Sequence, residues 1–204
     1  MIGIVDYGIG NIKAFSNIYK QLDIPHRIIK SKKNFNDVEK IILPGVGAFD
    51  HALKRLGDSG FLETLNDLVL NKKKPVLGIC VGMQMMAKSS EEGVLSGLGW
   101  IEATVNKFDK EKIGDDKPLP HMGWNSVNQI EGNPLFKGID TNSRFYFLHS
   151  YYFNPTCKEH SIALTKYGDQ FTCATGRDNI FGVQFHPEKS HHNGMQLLKN
   201  FGNL

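Results

Sequence analysis

A cysteine stands between two glycines in GICVG (78–82), directly after the apolar run PVLGI (75–79). A nucleophile presented at a sharp strand-to-helix turn occupies strained backbone, and small residues two positions to either side let the chain pass. Gly78 and Gly82 hold those positions around Cys80. A helix opening at Val81 would aim backbone N–H groups and its positive end at the sulfur, which favours a thiolate. The same amides, Val81 first, could hold the negative oxygen of a tetrahedral intermediate. A partner for the thiol lies far along the chain, in HPEKS (186–190). His186 could take the thiol proton and later give it to a leaving amine. Glu188, two residues on and so on the same side of an extended segment, could hold the imidazole in the required tautomer. PGVGAF (44–49) also follows an apolar run, and the amide of Val46 or Gly47 is a candidate second donor to an oxyanion. The chemistry implied is attack by a thiolate through a tetrahedral intermediate, with an amine as leaving group.

Each piece has a plainer reading. G-x-C-x-G can be a small core residue in a tight turn, and Pro-Gly clusters are usually only turns. The four residues His186, Glu188, His191 and His192 fall within seven positions, but match neither HExxH nor CxxC spacing, and Pro187 opposes one shared helical face. No metal is expected, and no cofactor. YGIGNIK (7–13) begins like a dinucleotide fingerprint, but Lys13 replaces the third glycine and Lys30 stands where an acid is needed, so that reading is rejected.

The elements around these residues alternate through the first 90 positions. IGIV (2–5), HRIIK (26–30), KIIL (40–43) and PVLGI (75–79) read as short buried strands. NIKAFSNIYKQL (11–22) places Ile12, Phe15, Ile18, Tyr19 and Leu22 on one helical face; FLETLNDLVL (61–70) is likewise helical, and VGMQMMAKS (81–89) turns back into helix. Such alternation implies βαβ units and a parallel sheet. After Gly99 the segments WIEATVNKF, RFYFLHSYYF, SIALTKY, QFTCAT and NIFGVQF are β-rich with little helix between them, which favours antiparallel strands added to the parallel part. GMQLLKNF (194–201) is a last helix, and the charged, proline-bearing stretch 109–120 reads as a mobile surface loop. The expected fold class is therefore α/β with a mixed sheet, in a single domain over 1–204.

Bulk properties narrow the function. The 204 residues are 40% hydrophobic and 22% charged, as in ordinary globular proteins, with a net charge of +3. That balance gives no reason to expect nucleic acid, and NKKKP (71–75) reads as a solvated loop after a helix. No stretch has the length of a membrane span, and MIGIV lacks the features of an export signal. Three cysteines without CxxC spacing fit a reducing, cytoplasmic setting, with Cys157 and Cys173 as packing residues in the β-rich half.

With these residues assembled, the chain resembles the class I (triad) glutamine amidotransferases, along its whole length. GICVGMQ matches the family's G-x-C-x-G-x-Q segment and HPEKS its H-P-E segment. PGVGAF, PHMGWN (120–125), YGIGNI and FYFLHSY (145–151) narrow the resemblance to the glutaminase subunits of imidazole glycerol phosphate synthases of histidine biosynthesis. It implies a three-layer fold with parallel strands extended by antiparallel ones, glutamine as substrate, and Gly47, Gln84, Ser150 and Tyr151 as its grips. It also implies a heterodimer with a (β/α)8-barrel synthase subunit that receives the ammonia, docked through Asn11, His121, Trp124, Asn125, Tyr146 and Lys189. A paralogous glutaminase that serves the amination of bacterial surface sugars shares these motifs. A stand-alone cysteine hydrolase of peptides or γ-glutamyl compounds, and a binding module with an idle triad, are the readings of other classes.

Overall fold

The computed structural model describes residues 1–114 and 117–204. Asp115 and Asp116, in the stretch expected to be a mobile loop, lie outside the described residues. Along the chain, β1 (Ile2–Val5), α1 (Ile12–Gln21), β2 (His26–Ile29), β3 (Lys40–Gly45), α2 (Phe49–Asp58), α3 (Leu62–Asn66), β4 (Val76–Cys80) and α4 (Val81–Gln84) form the alternating half. β5 (Ser89–Ser90), β6 (Ala103–Lys107), α5 (Lys110–Ile113), β7 (His121–Ser126), β8 (Asn128–Gln129), β9 (Arg144–His149) and β10 (Tyr151–Pro155) come next. β11 (Ser161–Tyr167), β12 (Asp169–Arg177), β13 (Ile180–Val183) and α6 (His191–Gly202) complete it.

The main sheet runs β2-β1-β3-β4-β13-β12-β10-β6-β5, with β11 on β12 and β8 on β11. Pairings from β2 to β13 are parallel, and those of β12 with β13, β10 and β11 are antiparallel. The fold is thus a mixed α/β sheet. β1, β4 and β13 are buried at every position, which is why they are apolar without alternation. α1 buries Phe15 and Tyr19, each worth about 2–3 kcal/mol when removed from water. Trp100 is fully buried and its indole N–H donates to Asn66 at 2.8 Å.

Several expectations are corrected. The helix expected over 81–89 is the single turn α4, because the carbonyls of Met85, Met86 and Ala87 accept from the amides of Leu98, Ile101 and Gly99 instead of from a next helical turn. The stretch 109–120 contains the helical turn α5, started by an Asp109 side chain that accepts from the Glu111 amide, with Ile113 buried. RFYFLHSYYF is two strands broken at Ser150, and the first of them belongs to a separate two-stranded ribbon, β7–β9. Cys173 is buried in β12, but Cys157 is only half-buried and its thiol donates to Glu159 at 2.6 Å, so packing is not its role.

The order β3-β4-β13 decides where chemistry can occur. Gly45 lies opposite Cys80, and Ile79 lies opposite Val183. The carboxyl ends of three adjacent parallel strands therefore bring out the Val46–Gly47 turn, Cys80, and the His186 turn side by side. That rim is where open α/β sheets bind ligands.

Candidate active site

Cys80 has φ 55° and ψ −113°, a backbone conformation that L-residues with a side chain rarely adopt. The surroundings hold it there. A methyl group on Gly82 would lie 2.0 Å from the Leu43 carbonyl oxygen, and one on Gly45 would lie 2.2 Å from the Gly82 nitrogen. On Gly78 it would meet Met86 Cε at 2.6 Å and the Gly82 carbonyl at 2.7 Å. The glycines flanking Cys80 are there because backbone meets backbone beneath the sulfur. Tyr7, from the rejected dinucleotide motif, braces the same place: its buried hydroxyl donates to the Pro44 carbonyl at 2.6 Å. Burial, and next the nearby charge of Cys80, push that phenol up from its ordinary range.

His186 and Glu188 have side chains only 4% and 2% exposed, with Nδ1 and Oε1 2.9 Å apart. The local reason differs from the expected extended segment. Residues Pro187–Lys189 form a 3-10 turn with proline in its first position, and the turn folds the carboxylate back onto the ring. Burial by itself would lower the imidazole's proton affinity. Hydrogen bonds to the Cys80 sulfur and to Glu188, with their negative charges, outweigh it and hold the pKa at about 10. The other Glu188 oxygen has no hydrogen-bond partner among the described residues, so the ring is the partner of that carboxylate. The turn is anchored by Ser190, whose buried hydroxyl donates to the His186 carbonyl at 2.6 Å and accepts from the Tyr146 amide at 3.0 Å.

A cleft of about 370 Å³ opens on these groups, walled by Val46, Gly47, Cys80, Val81, Gln84, Glu92 and residues 148–151, with Lys189 at its edge. Gly47 has φ +85° and empty space where a side chain would project, whereas Val46 is exposed. Val81 starts a helix of one turn, so its own amide counts for more here than a long dipole does. Gln84 is buried, and both of its amide hydrogens are engaged, by the Tyr151 carbonyl and by Gln184 Oε1, each at 3.0 Å. What it can offer the cleft is its carbonyl oxygen. Ser150 and Tyr151 line the opposite wall, and the Leu148 carbonyl lies 3.9 Å from Cys80 Sγ.

Of the residues expected at a docking face, Trp124 and Tyr146 sit opposite each other on the outer side of the β7–β9 ribbon. Trp124 is 38% exposed and stacks on His191, and Lys189 lies over the Tyr146 ring at 5.5 Å. Met122 and Leu148 extend the same outer side at 65% and 37% exposure. Asn11 is exposed before α1, with no side-chain capping bond. His121 departs from expectation: it is 3% exposed, on the inner side, stacked on Tyr167 and Phe147. Asn125 is also on the inner side, half-buried, and donates to the Lys166 carbonyl at 3.0 Å. Neither is presented outward, because strand alternation assigns both to the face opposite Trp124. His191 and His192 begin α6, and no three His, Cys, Asp or Glu side chains among the described residues are grouped to hold a metal.

Three residues of the site were missed by the motifs. Gln184 is fully buried and its amide donates toward Cys80 Sγ at 3.7 Å; the signal was an amide side chain inside the otherwise apolar run NIFGVQF. Glu92 supplies the cleft's acidic wall while accepting from the Phe49 amide at 2.9 Å, the first turn of α2, and nothing local in the sequence marks it. Ser190 closes the HPEKS turn as described.

Sequence comparison matches this arrangement to a known class. Residues 4–203 match the family model described as "Glutamine amidotransferase class-I". The chain belongs to that family and is an enzyme of the glutamine amidotransferase type. It is 52% identical over 204 residues to a protein of Leptospira borgpetersenii named imidazole glycerol phosphate synthase subunit HisH, covering 100% of both chains. A protein of the same name from Bdellovibrio bacteriovorus is 53% identical, again over 100% of both. Among solved structures, one described as a glutamine amidotransferase superposes with a TM-score of 0.74 at 16% identity, over 100% of this chain and 99% of that one. PurLQS from Thermotoga maritima also gives 0.74, at 15% identity over 99% and 97%. At such identities the structures speak to the fold alone.

Proposed function

We propose that this chain is the glutaminase subunit of an imidazole glycerol phosphate synthase. In this reading it hydrolyses glutamine to glutamate and ammonia in the cytoplasm, and passes the ammonia to a (β/α)8-barrel synthase subunit in a heterodimer. The observation that carries the reading is full-length identity above half to proteins named as that synthase's subunit.

The cleft's groups supply a mechanism. Cys80 sulfur attacks the side-chain amide carbon of glutamine, forming a C–S bond, while the amide of Val81 and that of Val46 or Gly47 hold the oxyanion. His186 carries the thiol's proton and delivers it to the departing nitrogen. The C–N bond breaks, ammonia leaves and a γ-glutamyl thioester remains. Water then attacks with His186 as base, the C–S bond breaks, and the proton returns to sulfur as glutamate departs. Glu188 holds the ring in register throughout. Gln84, Gly47 and the backbone at Ser150 and Tyr151 grip the substrate, and Glu92 suits its ammonium group. Ammonia released to water would be protonated and lose its nucleophilicity, so a dry passage to the acceptor has a physical purpose. The partly exposed outer face of the ribbon, with Trp124 as its anchor, suits the docking side.

The test has two arms. A glutamine-analogue electrophile should label Cys80, and free glutamine should block it; label elsewhere, or none, overturns the glutamine reading. Adding a cognate barrel subunit with its histidine-pathway ligand should raise glutamine hydrolysis strongly. Labelling at Cys80 without any such response would leave the glutaminase and overturn the histidine-pathway partner.

A further inference from the structure

β7 and β9 pair so that His121 lies directly opposite His149 on the inner side of the ribbon. Their ring nitrogens connect into a chain whose direction is fixed at every link. His149 Nδ1 is 2.7 Å from the Tyr151 carbonyl, which can only accept, so that nitrogen carries the hydrogen. Burial, then the neighbouring His121 and His186, hold the His149 pKa down at about 3, and burial holds that of His121 at about 4. Both rings are therefore neutral, and His149 Nε2 must accept. It does so from His121 Nδ1 at 3.0 Å, which leaves His121 Nε2 to accept from the Asn125 amide at 3.2 Å. That amide cannot be reversed: its oxygen accepts from the Ser126 amide at 2.8 Å and its second hydrogen goes to the Lys166 carbonyl.

The chain ends on a carbonyl, so it does not conduct protons. What it does is fix a position. The Tyr151 carbonyl it terminates on is the one that also receives Gln84, and Leu148, whose carbonyl faces Cys80, directly precedes His149 in the chain. Among the described residues, no other side chain on the ribbon's inner side hydrogen-bonds to residues 148–151; Phe147 only packs against the His149 ring at 5.7 Å.

We propose that Asn125, His121 and His149 form a one-directional hydrogen-bond chain that positions the 148–151 wall for glutamine, making the two histidines positioning residues for the glutaminase reaction. The proposal rests on reading the cleft as the glutamine site. The titratable neighbours facing the pair are His186 and Tyr167, and the remaining packing is aromatic, from Phe108, Phe147 and Phe171.

Kinetics of the full chain, with and without the synthase subunit, test it. His121→Leu leaves a buried His149 nitrogen without its donor and should raise KM for glutamine about ten- to hundredfold, with kcat changed far less. His121→Asn keeps a donor near the Nδ1 position and should recover KM to within about threefold of the parent. Should His121→Leu not fold, Asn125→Leu at the half-buried end should raise KM in the same direction. 15N NMR of the parent should report both rings neutral with hydrogen on Nδ1. An unchanged KM in a folded Leu variant, no rescue by Asn, or Nε2–H rings would overturn the proposal. Absence of Cys80 labelling in the parent would instead overturn the glutamine reading beneath it.

Discussion

Replacing Gly82 by alanine tests the claim that contact between backbones sets the position of the sulfur. The added methyl would lie 2.0 Å from the Leu43 carbonyl oxygen, against an ordinary contact of 3.4 Å, so β3 and the Cys80 turn must separate by about 1.4 Å. Neither side can yield cheaply, because Leu43 sits in the centre of the sheet and Gly82 is clamped by the neighbouring Gly45. Overpacking of this kind costs about 3 kcal/mol, which in a chain of this length lowers Tm by about 6–12 °C. The larger effect is on chemistry. A displacement near 1 Å of a reacting atom is worth about a hundredfold in rate, so labelling of Cys80 by a glutamine-analogue electrophile should slow by about that factor. The assay is mass spectrometry of the labelled chain against time, with circular dichroism for Tm. Gly57→Ala is the control: Gly57 lies in α2 with open space around it, and alanine there should stabilise by about 0.5–1 kcal/mol without changing the labelling rate. A Gly82→Ala variant that matches the parent in both Tm and labelling would refute the packing argument.

Glu188→Gln removes the negative charge that helps hold His186 protonated and can turn an amide N–H toward Nδ1 in place of an acceptor, so it should lower the rate of thioester formation by about 10³–10⁴-fold, with labelling as the readout. The linkage has a definite sign. His186 has its folded pKa raised to about 10 from 6.5, so its contribution to stability is complete below about pH 6.5 and fades as pH rises to 10. The Tm advantage of the parent over Glu188→Gln should therefore shrink across that window. Trp124→Ala should weaken association with the synthase subunit by about tenfold or more in calorimetry while the isolated chain still labels at Cys80; undiminished binding would move the docking side elsewhere.

The candidate site was legible in the sequence where a residue of distinctive type follows an apolar run. Val46–Gly47, Cys80 and His186 each come after a strand, and strand adjacency brings their turns to one rim. The alternation of the first half and the β-rich second half were legible for the same reason, since burial on both faces leaves uniform apolar runs. What escaped depends on distant contacts. PHMGWN alternates, but its apolar set, Met122 and Trp124, is the exposed one and its polar set, His121 and Asn125, faces inward, the reverse of what alternation alone would predict. The end of α4 is imposed by residues 98–101, and the acidic wall at Glu92 by a loop that meets α2. Gln184 was visible as an oddity in its strand, yet its meaning came only from the sulfur beside it.

The bonds by which the ribbon's outward-facing residues reach Cys80 and the His186 turn use main-chain atoms. The Leu148 carbonyl faces Cys80, and the Tyr146 carbonyl and amide hold the His186 amide and the Ser190 hydroxyl. None of these depends on what side chains residues 146 and 148 carry. Over evolutionary time, the identity of those outward groups can therefore drift while sulfur and imidazole stay where they are, so that, if the outer face is the docking side proposed above, partner choice and chemistry can be inherited separately.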